Sequence, residues 1–367
     1  MDAELLIGLE RYDEAEEALR GELRRAQAAG DTGATSVALE GLGVVASRRG
    51  QEEQALTLMR QAVEAADWPD PTERHDLYYE LARLMSGAGD AGGAVRLLES
   101  CLARVREGHP DDRRAQARYA ITLSYAHADA GGYAAAATLL GQVMLEGGEE
   151  IDLPMRATIY YALARLHNST GQLELALGYA RQALDLRRQT GEEWYEGNCH
   201  VQVANLLLTA GQADEAAGHL ARARQLYGDR MSTIDEGYLK VDEARLALQQ
   251  GRAETAAQIA RDAIELLSSA AVPGELGQAN LVLARAYEEQ GEDDRADAAY
   301  ASAIQLFRRQ NGWPFERARA YRLYGKYLRR RGRTEAALDA FEQAADLAPA
   351  NQAALGPDRS TPGGSSA

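Results

Sequence analysis

The sequence is poor in the residues that mark disulfide-stabilised, membrane-spanning or sheet-rich proteins. Its 367 residues include only two cysteines, Cys101 and Cys199, and so few thiols fit a reducing, cytoplasmic setting. Aromatic residues make up 6% of the chain, which is poor in the aromatic and β-branched residues that strands favour. No stretch approaches the ~20 consecutive apolar residues of a membrane span. We therefore expect a soluble, cytoplasmic protein.

Lysine is almost absent, so arginine supplies nearly all of the positive charge. Lys240 and Lys326 are the only lysines, and the formal net charge is −16. This acidic balance disfavours general binding to nucleic acid or to an anionic membrane. The opening residues, MDAELLIGLERYDEAEEAL, have acids where a signal peptide needs bases. We expect neither membrane association nor DNA binding by this chain alone.

What the sequence does contain is a repeat of about 40 residues. In each unit a glycine is followed five positions later by an alanine, and successive glycines are 39 to 42 residues apart. The eight pairs are Gly50–Ala55, Gly89–Ala94, Gly131–Ala136, Gly171–Ala176, Gly211–Ala216, Gly251–Ala256, Gly291–Ala296 and Gly332–Ala337. Apolar residues at spacings of three and four on both sides of the glycine indicate amphipathic helices. Each unit is therefore predicted to be a helical hairpin that stacks on its neighbours.

The last unit, residues 321–349, resembles the tetratricopeptide repeat. Its residues at the family positions are Tyr324, Gly325, Gly332, Ala337, Phe341, Ala344 and Pro349. Segments 159–186 and 243–267 resemble the C-terminal repeat domain of actinobacterial XRE/Cro-type helix-turn-helix regulators, which are peptide-responsive. The resemblance implies an all-α fold, a right-handed α-solenoid over residues 1–350. We count about eight full repeats and an incomplete N-terminal one.

The two ends of the chain depart from the repeat. Residues 1–28 read as an incomplete unit, because Ala15 and Leu19 imitate a second helix while the first has only about eight residues. In the resembled regulators a DNA-binding domain precedes the repeats. We expect either a sensor that acts alone, a truncated chain or a misassigned start. Residues 351–367 are rich in Gly, Pro and Ser without periodicity and are predicted to be a disordered tail.

The first helices of the hairpins are predicted to line a concave face that binds a ligand. Positions 3, 6, 9, 10 and 13 before each turn glycine share one helical face. Five of the eight residues six before the glycine are cations, and arginine and amide side chains suit carboxylates and peptide backbone. The predicted ligand-binding residues are Tyr79, Arg83, Tyr125, Tyr161, Arg165, Asn168, Gln202, Asn205, Asp242, Arg245, Arg285 and Lys326.

These residues favour a module that senses a peptide or protein partner, with an acidic or C-terminal-carboxylate peptide as the expected ligand. The regulator resemblance links that role to transcription. Two alternatives stay open. In the first, the chain is a passive assembly scaffold that binds no small ligand. In the second, arginines such as Arg83 and Arg245 only form i,i+3 ion pairs with Glu80 and Asp242, each worth ~0.2–0.5 kcal/mol.

A basic segment, residues 305–333, is a second candidate surface. It holds ten cations against Glu316 alone, a net charge of +9 that leaves −25 on the rest of the chain. Such asymmetry suits docking of an acidic partner or of a second subunit in a homodimer. The alternative is a solvated helix face.

Motifs for catalysis, cofactors or metals are missing. The chain has no phosphate-binding glycine loop, dinucleotide fingerprint or zinc-type cysteine spacing. His127 and His167 hold equivalent places in successive repeats, but a metal site needs more ligands than these two. Cys199 and His200 are adjacent, and adjacent helical side chains point about 100° apart, which disfavours a nucleophile–base pair. We predict a non-enzymatic protein without cofactor or metal, in which Cys101, at the small-residue position of its repeat, packs in the core.

Overall fold

The computed structural model describes residues 3–268, 272–309 and 314–347. These residues form eighteen α-helices and two short 3₁₀ turns, arranged as stacked hairpins, so the predicted all-α solenoid is confirmed. The predicted disordered tail, and residues 348–350 of the predicted solenoid, lie outside the described residues. Within the described ranges no helix combines the length and apolar character needed to cross a membrane.

The helices alternate along the chain as first and second members of a hairpin. In chain order they are α1 (Ala3–Gly8), α2 (Tyr12–Ala29), α3 (Thr32–Arg48), α4 (Glu52–Ala65), α5 (His75–Gly87), α6 (Ala91–Gly108), α7 (Arg113–Asp129), α8 (Tyr133–Gly147), α9 (Leu153–Ser169), α10 (Leu173–Thr190), α11 (Glu193–Thr209), α12 (Ala213–Tyr227), α13 (Thr233–Gln249), α14 (Ala253–Leu267), α15 (Pro273–Gln290), α16 (Asp293–Arg309), α17 (Pro314–Arg330) and α18 (Thr334–Asp346). The 3₁₀ turns are Gly148–Glu150 and Gly228–Arg230.

The eight predicted turn glycines all join the two helices of a hairpin in the left-handed conformation, with φ between 71° and 90°. A residue with a Cβ atom is strained there, and glycine is not. At Gly211 (φ 78°) the N–H of Gln212 donates to the carbonyl of Leu207 at 2.9 Å, which satisfies one of the last carbonyls of α11. The turn predicted from the repeat is therefore confirmed.

Small residues allow the hairpins to approach closely. The alanines five positions after the turn glycines are all buried, and none is more than 2% exposed. Cys101 and Cys199 are also buried in the core, where burial raises the pKa of each thiol to about 12. A thiol with so high a pKa is inert near neutral pH. The packing role predicted for Cys101 is confirmed, and Cys199 is buried in the same way.

A second row of glycines, not among the predicted repeat positions, sets the distance between helices of the same hairpin. These glycines stand fourteen residues before a turn glycine, and each packs on a large side chain thirty residues later. A Cβ atom added at these positions would lie 2.6–2.8 Å from that side chain. The pairs are Gly197 with Tyr227, Gly237 with Leu267 and Gly277 with Phe307.

The N-terminal pair is shorter than the others, as the sequence predicts. Helix α1 has only six residues, and its Leu6 packs in a cluster with Ala15 and Leu19 of α2. Leu5, on the same short helix, is 55% exposed. The short pair therefore contributes a smaller apolar contact than a full hairpin.

Replacing Gly277 by alanine is expected to lower the free energy of unfolding by ~1–3 kcal/mol, because the new methyl group would overpack the buried ring of Phe307. Urea unfolding followed by circular dichroism measures the change. The matched control is Gly178→Ala, at an exposed position in α10 with no atom within 4 Å of the added Cβ. That change is expected to be neutral or to stabilise by up to ~1 kcal/mol, since alanine is the better helix former. Equal effects of the two substitutions would contradict the packing described.

Candidate functional site

Two adjoining cavities lie on the inner face of the solenoid, lined mainly by first helices of the hairpins. The N-terminal cavity, of about 510 Å³, is lined by the predicted residues Tyr79, Arg83, Tyr125 and Arg165. The C-terminal cavity, of about 550 Å³, is lined by the predicted residues Tyr161, Arg165, Asn168, Gln202, Asn205, Asp242 and Arg245. Each volume falls in the ~300–1,000 Å³ range of small-ligand pockets. Arg285 and Lys326 line neither cavity, so ten of the twelve predicted residues are brought together.

The solenoid curls until early and late hairpins face each other across the cavities. Glu52 and Tyr79, from α4 and α5, line the N-terminal cavity together with Tyr238 of α13 and Glu275 of α15. Tyr238 and Glu275 also line the C-terminal cavity, as does Arg165. The two cavities are therefore parts of one inner-face space that is partly open to solvent.

Two of the predicted arginines are already held by carboxylates of their own helices. Arg245 Nη1 lies 3.2 Å from Asp242 Oδ1, and Asn205 Nδ2 donates to Asp242 Oδ2 at 2.8 Å. Arg83 pairs with Glu80 at 2.9 Å. The i,i+3 ion pairs considered as the alternative reading of these arginines are thus present, and both guanidinium groups have an internal role.

Arg165 differs from Arg83 and Arg245. Its Cζ atom lies 5.3 Å from the ring centre of Tyr125, in the geometry of a cation–π contact. Within the described ranges it forms no ion pair at 4.0 Å or less, although it stands where the two cavities meet. Arg165 is also exposed to solvent. This guanidinium is therefore the predicted cation best placed to meet a ligand.

Three half-buried carboxylates near Arg165 were not among the predicted site residues: Asp129, Glu275 and Glu316. Burial raises the pKa of each carboxyl group, and attraction to Arg165 only partly offsets that rise. For Asp129 the pKa reaches about 6. Glu275 and Glu316 each stand sixteen residues before a turn glycine, so the inner-face pattern, continued by one helical turn beyond position 13, would have found them.

The residues six positions before each turn glycine predict a cationic inner face. Because of these carboxylates, the space formed by the two cavities is less cationic than that. The lining has five arginines and five carboxylates: Arg83, Arg165, Arg245, Arg319 and Arg322 with Glu52, Asp129, Asp242, Glu275 and Glu316. Burial and the nearby Arg245 lower the pKa of Arg319 to about 9. The physical reason for the difference is the curl of the solenoid, which carries the acidic starts of α15 and α17 inwards.

Gln202, in the wall of the C-terminal cavity, has a buried hydrogen-bond acceptor without a partner among the described residues. The residue is only 8% exposed, and its Nε2 donates to the backbone carbonyl of Tyr161 at 2.8 Å. Its Oε1 atom is buried and has no hydrogen-bond partner in the part of the chain that the structure describes. Because a buried acceptor without a partner costs ~1–3 kcal/mol, this atom favours a ligand that donates to it.

Three of the ten cations of the basic segment, residues 305–333, form ion pairs within the chain. Ion pairs join it to the preceding hairpin, α15–α16: Arg330 with Glu288, Arg331 with Asp293, and Arg333 with Asp297. Arg319 and Arg322 face the C-terminal cavity. Residues 310–313 and the side chain of Arg309 lie outside what the structure describes. The segment is therefore not the uniform acceptor for an acidic partner that its composition suggests.

The histidines pack with neighbouring side chains. The ring of His167 stacks on Tyr179 with 5.3 Å between ring centres, whereas His127 lies in a groove beside Glu99. A pair that the sequence did not indicate, His200 and His219, has its Nδ1 atoms 2.9 Å apart. Among residues 3–268, 272–309 and 314–347 no three or more His, Cys, Asp or Glu side chains come together as metal ligands would.

The raised pKa of Asp129 predicts a pH-dependent term in stability. Since its folded pKa of about 6 lies above the unfolded value of 3.8, Asp129 favours the folded state at low pH and opposes it once ionised. Its contribution is therefore lost as the pH rises through about 6, by up to ~3 kcal/mol. Relative to the wild type, Asp129→Asn is expected to gain stability steadily between about pH 4 and pH 7, as measured by urea unfolding across that range.

The control for this titration is Asp339→Asn, on the exposed face of α18. It should track the wild type at every pH. A stability difference between Asp129→Asn and the wild type that does not change with pH would show that Asp129 is not buried as described.

Family models of the tetratricopeptide repeat match three parts of the chain, at residues 3–67, at residues 121–190, and at 277–309 with 318–351. Together these matches cover more than half of the 367 residues. No curated protein sequence matches the chain.

Several solved structures share the fold. The apo form of RapI matches with a TM-score of 0.57 and 14% identity over 75% of this chain and 98% of its own. A Rap protein complexed with Competence and Sporulation Factor gives a TM-score of 0.55 and 12% identity over 85% of this chain and 97% of its own. Aspartyl phosphate phosphatase F from Bacillus subtilis gives 0.62 and 14%, over 79% and 75%. At these identities the likeness shows the fold alone.

The repeat matches agree with the geometry. They fall on hairpins whose turn glycines and buried alanines recur about every 40 residues, and the solved structures share the same helical stacking. The chain belongs to the tetratricopeptide-repeat proteins.

Proposed function

We propose that this chain is a non-enzymatic sensor module that binds a short peptide in the space formed by the two cavities on its inner face. The observation that carries the proposal is Arg165, an arginine without an ion pair among the described residues, placed where the two cavities meet. Gln202 supports it, because this residue lines the C-terminal cavity and its buried Oε1 atom has no partner in the described chain. Both groups gain a partner when a ligand with a carboxylate and a peptide N–H enters.

The shape of the site favours a peptide over a folded protein. A passive scaffold needs an open, broad surface, since stable protein interfaces bury ~1,600 Å² in total. Here the predicted side chains line two adjoining cavities of about 510 and 550 Å³, a size that suits a few residues of an extended chain better than a folded domain. An extended chain of a few residues fits such a space and can contact several first helices at once.

A ligand held by several hairpins would act on the pitch of the solenoid. It contacts early and late hairpins together, so it favours the curl in which Arg165 and Glu275 line one space. That change in curl would bias a linked domain or a second subunit, which is the basis for linking the module to transcriptional regulation in the cytoplasm. One of the similar structures, a Rap protein, is itself a complex with Competence and Sporulation Factor.

Affinity selection tests the proposal. The protein is exposed to a mixture of random short peptides, the retained peptides are identified by mass spectrometry, and their affinities are measured by calorimetry. Replacing both Arg165 and Asn205 by alanine is expected to weaken binding at least tenfold. The reason is that one charge-assisted hydrogen bond contributes ~1.5–3 kcal/mol, and ~1.4 kcal/mol is a factor of ten. Arg60→Ala, at an exposed position on α4 outside both cavities, should bind as the wild type does.

Retention of no peptide, or retention that survives the double substitution, would contradict the inner-face site. Capture of folded proteins alone, unaffected by the double substitution, would favour the assembly scaffold instead.

A further inference from the structure

Two of the twelve predicted ligand-binding residues, Arg285 and Lys326, line neither cavity. They stand at the same position of successive repeats, six residues before the turn glycine, on the first helices α15 and α17. Arg165 holds this position in its own repeat and lines both cavities. The inner face therefore continues past the C-terminal cavity, and both of these residues are cations.

Helix α17 adds further cations to this part of the inner face. It carries six cations and one carboxylate, Glu316, near its start. Arg322, Lys326 and Arg329 follow one another at spacings of four and three, so they lie on one face of the helix, and all three are exposed. The seven residues from Arg322 to Arg329 span ~10 Å along the helix axis.

Arg285 of α15 lies beside this row. Side chains of α15 and α17 meet on either side of it, where Arg319 Nη1 donates to Gln278 Oε1 at 3.5 Å and where Arg330 pairs with Glu288. We call Arg285, Arg322, Lys326 and Arg329 the basic stripe. Arg319 is not part of it, because Glu316, one helical turn away, attracts that guanidinium.

The chain leaves the basic stripe without ion pairs although it pairs other cations of the same segment. The paired ones are Arg330 with Glu288, Arg331 with Asp293 and Arg333 with Asp297. The four side chains of the stripe form no ion pair at 4.0 Å or less with the residues that the structure describes. Like charges three and four residues apart destabilise a helix. A partner that brings carboxylates to the stripe would offset this repulsion.

The charge of the whole chain favours an acidic protein segment over nucleic acid as that partner. Guanidinium groups hold carboxylates through paired N–H donors. The stripe is only ~10 Å long, and the chain around it has a net charge of −16. A nucleic-acid backbone that extends beyond the stripe would meet this acidic surface, whereas a short run of Asp or Glu side chains would not.

We propose that the basic stripe is a docking surface for an acidic segment of a partner protein, next to the peptide-binding space. Arg285, Lys326 and Arg329 line neither cavity, and Arg322 stands where the stripe meets the C-terminal cavity. The proposal does not depend on the proposed peptide-binding function. It confines the acidic partner expected for the whole basic segment to one face of α17 and its neighbour α15.

Fluorescence anisotropy on the full chain at low salt tests the proposal, with a blocked octaglutamate peptide that carries an uncharged dye. One triple variant removes three charges of the stripe, and a matched control removes three charges of the same segment that are ion-paired. They are Arg322→Gln, Lys326→Gln and Arg329→Gln, and Arg330→Gln, Arg331→Gln and Arg333→Gln. The first is expected to weaken binding at least tenfold and the second by less than threefold. Equal weakening would overturn the proposal, because the attraction would then come from net charge alone.

Further outcomes decide what occupies the stripe. No binding of octaglutamate by the wild type would overturn the proposal. A duplex oligonucleotide that binds more tightly than octaglutamate would replace the protein partner by nucleic acid, and salt-sensitive dimers that only the stripe variant loses would replace it by a second copy of the chain. Arg165→Ala with Asn205→Ala should leave octaglutamate binding unchanged, which separates this surface from the peptide site. Circular dichroism confirms that each variant is folded.

Discussion

The close approach of neighbouring helices is the constraint on which the rest of this structure depends. Alanines such as Ala216 and glycines such as Gly277 leave no side chain to hold the helices apart, and each hairpin buries its apolar face only against its neighbours. The same contact, repeated along the chain, fixes a small rotation between hairpins. The sum of those rotations brings Glu52 and Glu275 to the wall of one cavity.

Enclosing the inner face has an electrostatic consequence. Side chains such as Asp129 and Arg319 would be fully solvated on an open solenoid but are half-buried here. Burial raises the pKa of Asp129 and lowers the pKa of Arg319, so both values move closer to pH 7. Unpaired ionisable groups in a cleft oppose folding, so their presence marks a candidate functional site. Binding a ligand with complementary charges would therefore stabilise the folded protein.

The parts of the molecule that depend on local spacing could be predicted from the sequence. Gly211 with Ala216 specifies a turn and a helix contact, and helical spacing from the same glycine places Arg165 and Asn205 on the inner face. The overall curl could not be predicted, because it is a sum of small rotations that no single repeat encodes. Glu275 and Glu316 lie one helical turn beyond the positions considered, whereas the closure of the inner face around them depends on the curl. The arginines near residue 330 are exposed, as a solvated helix face predicts, but their ion pairs with α15 and α16 join different repeats and could not be predicted from spacing.

The most direct measurement is a crystal structure of the chain with a peptide retained from the random mixture. We expect electron density for the peptide between Arg165 and Gln202, inside the space lined by the first helices. Density on the outer surface, or at the edge of the stack with the inner space empty, would contradict the assignment of the inner face as the binding site.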